Sequence, residues 1–300
     1  MAITIRPLGG LGNQLFVYAT GLTLARRRTT ELVADLSLLR EKSSPQYQLD
    51  SFANSISRFE PASEREVSSP RMRQILSRFR PSGVDNTFKE RGFWFDPRIM
   101  EIPDGSTIDG YFQSWKYFYG EEETLRREIQ SVRQPTPSFL ELKTQLAAEQ
   151  PWIGVHVRRG DYTAIAQMGI TEDFYYGRAL DFVQRLTGVE AVRVFSDDIA
   201  AASKLPSLTG NSNVEFMVPT SESSPLENLL CLANAHHLIM ANSSFSWWAA
   251  WLLDKPSRIV TYPRPWVDFR SVNDRDLTLP NWIGIGRESI ELAVQRHVGY

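Results

Sequence analysis

Apolar and polar residues alternate from Ile3 to Leu8, the two-residue period of a strand, before the chain reaches Gly9, Gly10 and Gly12, which read as a turn. From Leu15 to Ala25 the apolar positions Leu15, Phe16, Ala19, Leu22 and Leu24 recur at helical spacing. A short apolar run, Leu32-Val33-Ala34, then ends in Asp35. Residues 40–100 carry no clear period. Ser43-Ser-Pro and Ser68-Ser-Pro punctuate them, the basic run from Arg71 to Arg80 reads as a solvated helix face, and Phe93-Trp-Phe-Asp-Pro reads as core. Ile108 to Tyr119 reads as a strand ending in a loop beside a cleft, because Gly110 and Gln113 suit a strand interior poorly.

Gln134-Pro-Thr-Pro-Ser is the best linker, and it predicts two domains, 1–134 and 135–300. Beyond it, Phe139–Glu149 is helical and Trp152, Ile153, Val155 and Val157 form an apolar, β-branched strand. Thr171–Arg185 has helical spacing with Thr171 as its expected cap, and Val192–Ser196 is a strand that ends in Asp197 and Asp198. Leu226–Ala235 is helical, His237–Met240 is a short strand, and Asn242-Ser-Ser-Phe-Ser opens another helix. Trp247, Trp248 and Trp251 on that helix read as packing, and a last helix is expected from about Glu288 to Val298. Strands alternate with helices in both halves, the pattern of two α/β domains.

Composition narrows the function. The 300 residues are 42% apolar and 23% charged, with a net charge of −2, which gives no surface-wide footprint for nucleic acid. One cysteine, Cys231, excludes an intrachain disulfide and a cysteine-based zinc site. The first residues, Met-Ala-Ile-Thr-Ile-Arg-Pro, lack a basic region followed by an apolar one, so no signal peptide is expected. The longest apolar stretch, Phe245–Leu253, is about half of the ~20 residues that span a bilayer. The chain therefore reads as soluble and cytoplasmic.

The candidate chemistry sits at strand ends. The strand from Trp152 delivers Arg158, Arg159 and Asp161 to its carboxyl end, where parallel sheets bind ligands, and guanidinium pairs phosphate oxygens two at a time. A structural Arg–Asp ion pair is the competing reading. Free amides and the hydroxyls of Ser243, Ser244 and Ser246 at a helix start offer a second place for a diphosphate. Asp197 and Asp198 fit a ligand contact, an ion pair or a cap. The early glycine turn is no Walker loop, and Gly10-Leu-Gly12-Asn-Gln-Leu15 fails the dinucleotide fingerprint at its third glycine, although Asp35 stands where a ribose-binding acid belongs. Asn13 is placed to cap the helix after this turn.

His156-Val-Arg-Arg-Gly-Asp161 resembles the His-x-Arg-Arg-x-Asp signature of GDP-fucose-dependent α-1,2-fucosyltransferases, versions of which occur in α-1,6- and protein O-fucosyltransferases. Gly10-Leu-Gly-Asn-Gln-Leu-Phe, Asp109-Gly-Tyr-Phe-Gln-Ser-Trp-Lys-Tyr-Phe, Phe195-Ser-Asp-Asp and Met240-Ala-Asn-Ser-Ser-Phe-Ser-Trp-Trp-Ala-Ala-Trp-Leu resemble the same family in the same order. The absence of a membrane anchor resembles its bacterial members.

The resemblance implies an α/β fold of two Rossmann-like domains facing across a cleft, the glycosyltransferase B type. The N-terminal half would be the acceptor side, and the C-terminal half would bind GDP-fucose. The implied reaction moves L-fucose from GDP-β-L-fucose to the 2-hydroxyl of a terminal β-galactoside and inverts the anomeric centre. No metal is required, since Asp197-Asp198 is contiguous and makes no Asp-x-Asp triplet.

By the same resemblance, Arg158 stabilises the departing phosphate and Asp161 is the nearest base. Asn13 and Gln14 face the cleft, with Asn13 on fucose or phosphate. The remaining donor contacts are Gly12, His156, Arg159, Ser243, Ser244, Phe245 and one of Asp197 and Asp198 on the guanine edge. Tyr111, Gln113 and Trp115 face the acceptor. Related α-1,6 enzymes carry a glutamate a few residues past the aspartate; Ala164, Ile165 and Ala166 stand there, which leaves the base open. The competing functions are a fucosyltransferase of α-1,6 or protein O-linkage, a nicotinamide-dependent oxidoreductase and a non-catalytic sugar-binding module. Contact with lipid-linked glycans stays open.

Overall fold

The computed structural model describes residues 2–36, 39, 46–53, 56–60, 86–160, 171–210, 212–220, 222–253, 255–267 and 274–287. Asp161, the basic run 71–80 and the expected helix 288–298 lie outside the described residues. The chain divides into two compact units, one of Met1–Ser131 with Arg275–Leu277 and one of Val132–Asp274 with Thr278–Tyr300. No helix of the described residues is long and apolar enough to cross a membrane.

The first unit is built on a parallel sheet of β1 (Ala2–Ile5), β2 (Glu31–Asp35), β3 (Ile56–Glu60), β4 (Thr87–Lys89) and β5 (Thr107–Asp109), in the order β3-β2-β1-β5-β4. Helix α1 (Leu11–Arg27) joins β1 to β2 and is buried along nearly its whole length. It starts earlier than its apolar period predicts, because Gly10 takes the cap position and Asn13 stands inside the first turn. Gly12 therefore belongs to the helix rather than to a turn. Gln14 is fully buried, which corrects the expectation that it faces a cleft. Its amide donates to the carbonyls of Gly9 and Gln46, both at 2.8 Å, and accepts from the Gln48 N–H at 2.9 Å. Asp35 accepts from Arg6 Nε at 3.0 Å.

After β5 the chain makes a loop and a 3-10 turn, Trp115–Phe118, and helix α2 (Glu122–Gln130) buries Leu125 and Ile129. The Phe93–Phe95 cluster is not the buried core its composition predicts. Its backbone is irregular, Trp94 is 37% exposed, and Phe95 packs edge-on against Tyr117 at 5.0 Å. A segment remote in sequence completes this unit: Asp276 accepts from Lys116 Nζ at 2.5 Å and from the Phe95 N–H at 3.1 Å, and its carbonyl accepts from Ser114 Oγ at 2.8 Å.

The second unit carries a parallel sheet of β6 (Trp152–Val157), β7 (Ala191–Ser196), β8 (Val214–Phe216), β9 (His237–Ile239), β10 (Val260–Arg264) and β11 (Ile283–Gly286), in the order β11-β10-β9-β6-β7-β8. Its helices are α3 (Pro137–Ala148), α4 (Asp173–Thr187), the short α5 (Ile199–Ala202) and α6 (Pro206–Thr209), α7 (Pro225–Ala233) and α8 (Ser244–Leu252).

All six residues of β6 are buried, as expected for the central strand of a parallel sheet covered on both faces. Ile153, Val155 and Val157 share a core with Tyr175, Tyr176, Ala179 and Val183 of α4. On the other period Trp152 stacks on Phe195 at 6.4 Å. Trp247, Trp248 and Trp251 are packing residues, 0%, 0% and 3% exposed, and Trp247 stacks on Trp251 at 6.2 Å. Thr171 does not cap α4, whose cap position is Glu172 without a side-chain bond.

From β6 the chain builds outward through β7 and β8. It then returns to the far side of β6 with β9 and builds outward again through β10 and β11. This doubly wound order leaves its switch point between β6 and β9, where such sheets bind ligands at their carboxyl ends.

Candidate functional site

The loops that leave the carboxyl ends of β6, β7 and β9 carry most of the expected donor residues. Asp197, just past β7, is the hub of this edge. Its carboxylate accepts from Arg158 Nη1 at 3.0 Å, from the Arg159 N–H at 2.8 Å and from the Gly160 N–H at 2.9 Å. The turn after β6 is thus wrapped around one carboxylate. A Cβ at position 160 would come within 2.5 Å of Asp197 Oδ2, so only glycine lets the turn close this tightly. Asp198 serves locally as the cap of α5, its Oδ1 accepting from the Ala201 N–H at 2.9 Å. The two acids at this strand end therefore make an ion pair and a cap.

A second set of bonds locks the neighbouring loops. Arg159 is buried and donates through Nη1 to the Thr171 carbonyl at 2.8 Å, and Thr171 Oγ1 donates to Asn242 Oδ1 at 3.0 Å. The Tyr175 hydroxyl donates to the Met240 carbonyl at 2.7 Å. These bonds tie the turn after β6 to the loop after β9.

Helix α8 starts there. Ser243 Oγ accepts from the Phe245 N–H at 3.3 Å, and Ser244 is the first helical residue. Ser246 Oγ donates to the carbonyls of Ala241 and Ser243, both at 3.2 Å. The hydroxyls of Ser243 and Ser246 thus take part in the helix start, and Ser243 Oγ, an acceptor there, keeps its own proton to donate. The positive end of the helix dipole remains at this edge.

His156, on β6, is 3% exposed and stacks on Phe245 with ring centroids 5.2 Å apart. Burial, helped by the nearby Arg158 charge, pushes the imidazole pKa down to about 3, so the ring is neutral near pH 7. Its Nδ1 is buried without a hydrogen-bond partner among the described residues. A histidine depressed in this way stabilises the fold fully above its unfolded pKa of about 6.5 and loses that contribution as pH falls toward 3, because only the unfolded chain gains the proton. Unfolding free energy of the wild type should therefore drop by roughly 1 kcal/mol per pH unit more than that of His156→Phe between pH 6 and 4.5. Parallel denaturant titrations at these pH values measure the difference, and parallel slopes would remove the neutral buried imidazole from this account.

The other expected residues lie in the first unit. Asn13 Oδ1 accepts from Gln113 Nε2 at 2.8 Å, which brings the turn after β1 to the loop after β5 at that sheet's own switch point. Tyr111 is 38% exposed in the same loop, and Trp115 lies edge-on to Tyr119 at 5.9 Å with Lys116 Nζ 6.0 Å from its ring. Gly12 is buried in the first turn of α1. The structure thus gathers His156, Arg158, Arg159, Asp197, Asp198, Ser243, Ser244 and Phe245 near the carboxyl strand ends of the second unit's sheet, and Gly12, Asn13, Tyr111 and Gln113 near those of the first unit's sheet.

Comparison with known proteins resolves the class of enzyme. The sequence model of glycosyl transferase family 11 matches residues 97–286. The chain belongs to this family. An α-1,2-colitosyltransferase of Escherichia coli is 27% identical over 293 residues, covering 94% of this chain and 98% of that protein. Galactoside α-(1,2)-fucosyltransferase 2 of Oryctolagus cuniculus is 27% identical over 297 residues, covering 94% of this chain and 76% of its own. Among solved structures, the fucosyltransferase NodZ from Bradyrhizobium is similar with a TM-score of 0.46 at 15% identity, over 83% of this chain and 91% of that one.

For this family 11 glycosyltransferase, two site residues escape a reading of the sequence alone. Thr171 looks like a helix cap by position, and Asn242 looks like a helix opener. Both are 1% exposed and bond each other. The sequence carried no clear signal for this, because each stands between an apolar residue and a polar one, a pattern that names neither burial nor a partner.

Proposed function

We propose that this glycosyltransferase moves L-fucose from GDP-β-L-fucose to the 2-hydroxyl of a terminal β-galactoside, with inversion and without a metal. The observation that carries this reading is Arg158, held by Asp197 at the switch-point edge of the second sheet. The names of the relatives, α-1,2 transferases including one that acts on galactosides, support the linkage and the acceptor.

The departing GDP gains charge on its β-phosphate, and fixed donors must meet that charge as it develops. Arg158 supplies a cation whose plane is set by Asp197; one such pair does not exhaust the five donors of a guanidinium. The start of α8 adds its dipole. Asp197 is already surrounded by three donors, so the guanine edge falls to Asp198, whose cap bond uses Oδ1. Arg159, buried and bonded to Thr171, orients the turn. Neutral His156 positions the nucleotide and moves no proton in the reaction. Asp161 is the proposed base. In this reading the two units act as the acceptor and donor lobes of a glycosyltransferase B enzyme.

The test is incubation with GDP-fucose and a panel of type 1, type 2 and lactose acceptors in EDTA, followed by linkage analysis. GDP-colitose is a parallel donor, since one relative is named for that sugar. An α-1,2-fucosyl product in EDTA is expected. An α-1,6 or peptide-linked product, a product from GDP-colitose alone, or transfer only after a divalent cation is restored would overturn the proposal.

A further inference from the structure

On the first sheet, β4 and β5 end side by side, and Glu90 is the first residue past β4. Its N–H continues the ladder by donating to the Asp109 carbonyl at 2.9 Å. Its carboxylate then reaches across and accepts from the N–H groups of Tyr111 at 2.7 Å and Phe112 at 2.9 Å.

Two features show that this clamp holds a backbone the loop would not adopt by itself. Phe112 has φ 53°, in the left-handed region that aromatic residues rarely enter. It is kept there fully buried, edge-on to Tyr117 at 5.4 Å. Gly110 has φ 153°, and a Cβ at that position would fall 2.3 Å from the Cβ of Glu90. The carboxylate also sits against its own solvation: burial raises its pKa, and the Phe112 and Tyr111 amides oppose that shift. A charge retained in such a place is set to hold the loop. The loop presents exposed Tyr111 and, one residue past Phe112, Gln113 bonded to Asn13.

We infer that Glu90 is a positioning residue for the acceptor: its carboxylate sets the loop that carries Tyr111 and Gln113 and so fixes where the galactoside is held. This rests on the galactoside transfer proposed above and on the acceptor role that the family resemblance implies for Tyr111 and Gln113. Glu90 touches no substrate, because both of its oxygens face the loop backbone.

Steady-state kinetics of Glu90→Gln and Gly110→Ala test the inference. The first variant turns an amide against one of the two N–H groups, and the second displaces the Glu90 side chain from the opposite side. Both should raise the galactoside KM by about tenfold or more while the GDP-fucose KM and kcat stay within about twofold of wild type. Thermal melts with and without GDP confirm that each variant folds and still binds nucleotide. A folded variant of either kind with a wild-type galactoside KM overturns the proposal, as does a loss of kcat with both KM values unchanged. If Glu90→Gln does not fold, Gly110→Ala alone decides. A wild-type enzyme that transfers fucose to no galactoside defeats the functional reading instead, and that outcome is visible before any variant is made.

Discussion

Arg158→Ala is expected to lower kcat for fucosyl transfer by about 10²–10³-fold, the scale of one preorganised donor aimed at developing charge. The melting temperature should stay near that of the wild type. The guanidinium side chain is 28% exposed and lies outside the buried core, so its removal opens no apolar cavity. Asp197 would lose one donor and keep the N–H groups of Arg159 and Gly160. Arg158→Lys should recover only part of the rate, since an ammonium cannot offer two parallel donors in a fixed plane. Single-turnover measurements at saturating GDP-fucose separate this loss from donor binding. A variant within about threefold of the wild-type rate would take Arg158 out of the mechanism.

Asp197→Ala carries the second large effect and acts through a different group. The carboxylate collects three donors from consecutive residues, so its removal leaves the turn after β6 without its hub and Arg158 without its fixed plane. A displacement of about 1 Å at a catalytic group can cost 10²-fold in rate, and a loss of that order is expected here. Stability should fall by about 1–3 kcal/mol, because two backbone N–H groups lose their partner. The decisive readout is the double variant. If Asp197 works by holding Arg158, Arg158→Ala with Asp197→Ala transfers about as slowly as Arg158→Ala alone. Losses that multiply would show that Asp197 acts on the substrate independently.

The alternation of strands and helices predicted parallel α/β architecture in both halves, and both sheets are parallel. The approach of Trp152 to Val157, followed by two arginines, placed the candidate site at a carboxyl strand end, and that end lies at the switch point of the second sheet. Legible features were therefore local ones: a period, a strand end, a glycine where the backbone turns.

What was not legible depends on partners far away in the chain. Asp197 looks like any acid at a strand end until its bonds to the Arg158–Gly160 turn are known. Thr171 and Asn242 bond across 71 positions, and Asp276 reaches Lys116 across 160. The family resemblance placed Gln14 facing a cleft, but the carbonyls of Gly9 and Gln46 draw it inward. The tryptophans of α8 were legible as packing, whereas Trp94 was not legible as exposed, because an irregular backbone gives aromatic residues no period to follow.

The claim on which all of this rests is that a guanidinium at the end of β6 meets the terminal phosphate of the leaving nucleotide. A crystal structure of the GDP complex tests it most directly. The account predicts the β-phosphate within about 3 Å of Arg158, beside the start of α8, with Asp197 still bonded to the Arg159 and Gly160 N–H groups. GDP bound to the first unit, or bound at this edge with Arg158 turned away from both phosphates, would contradict it.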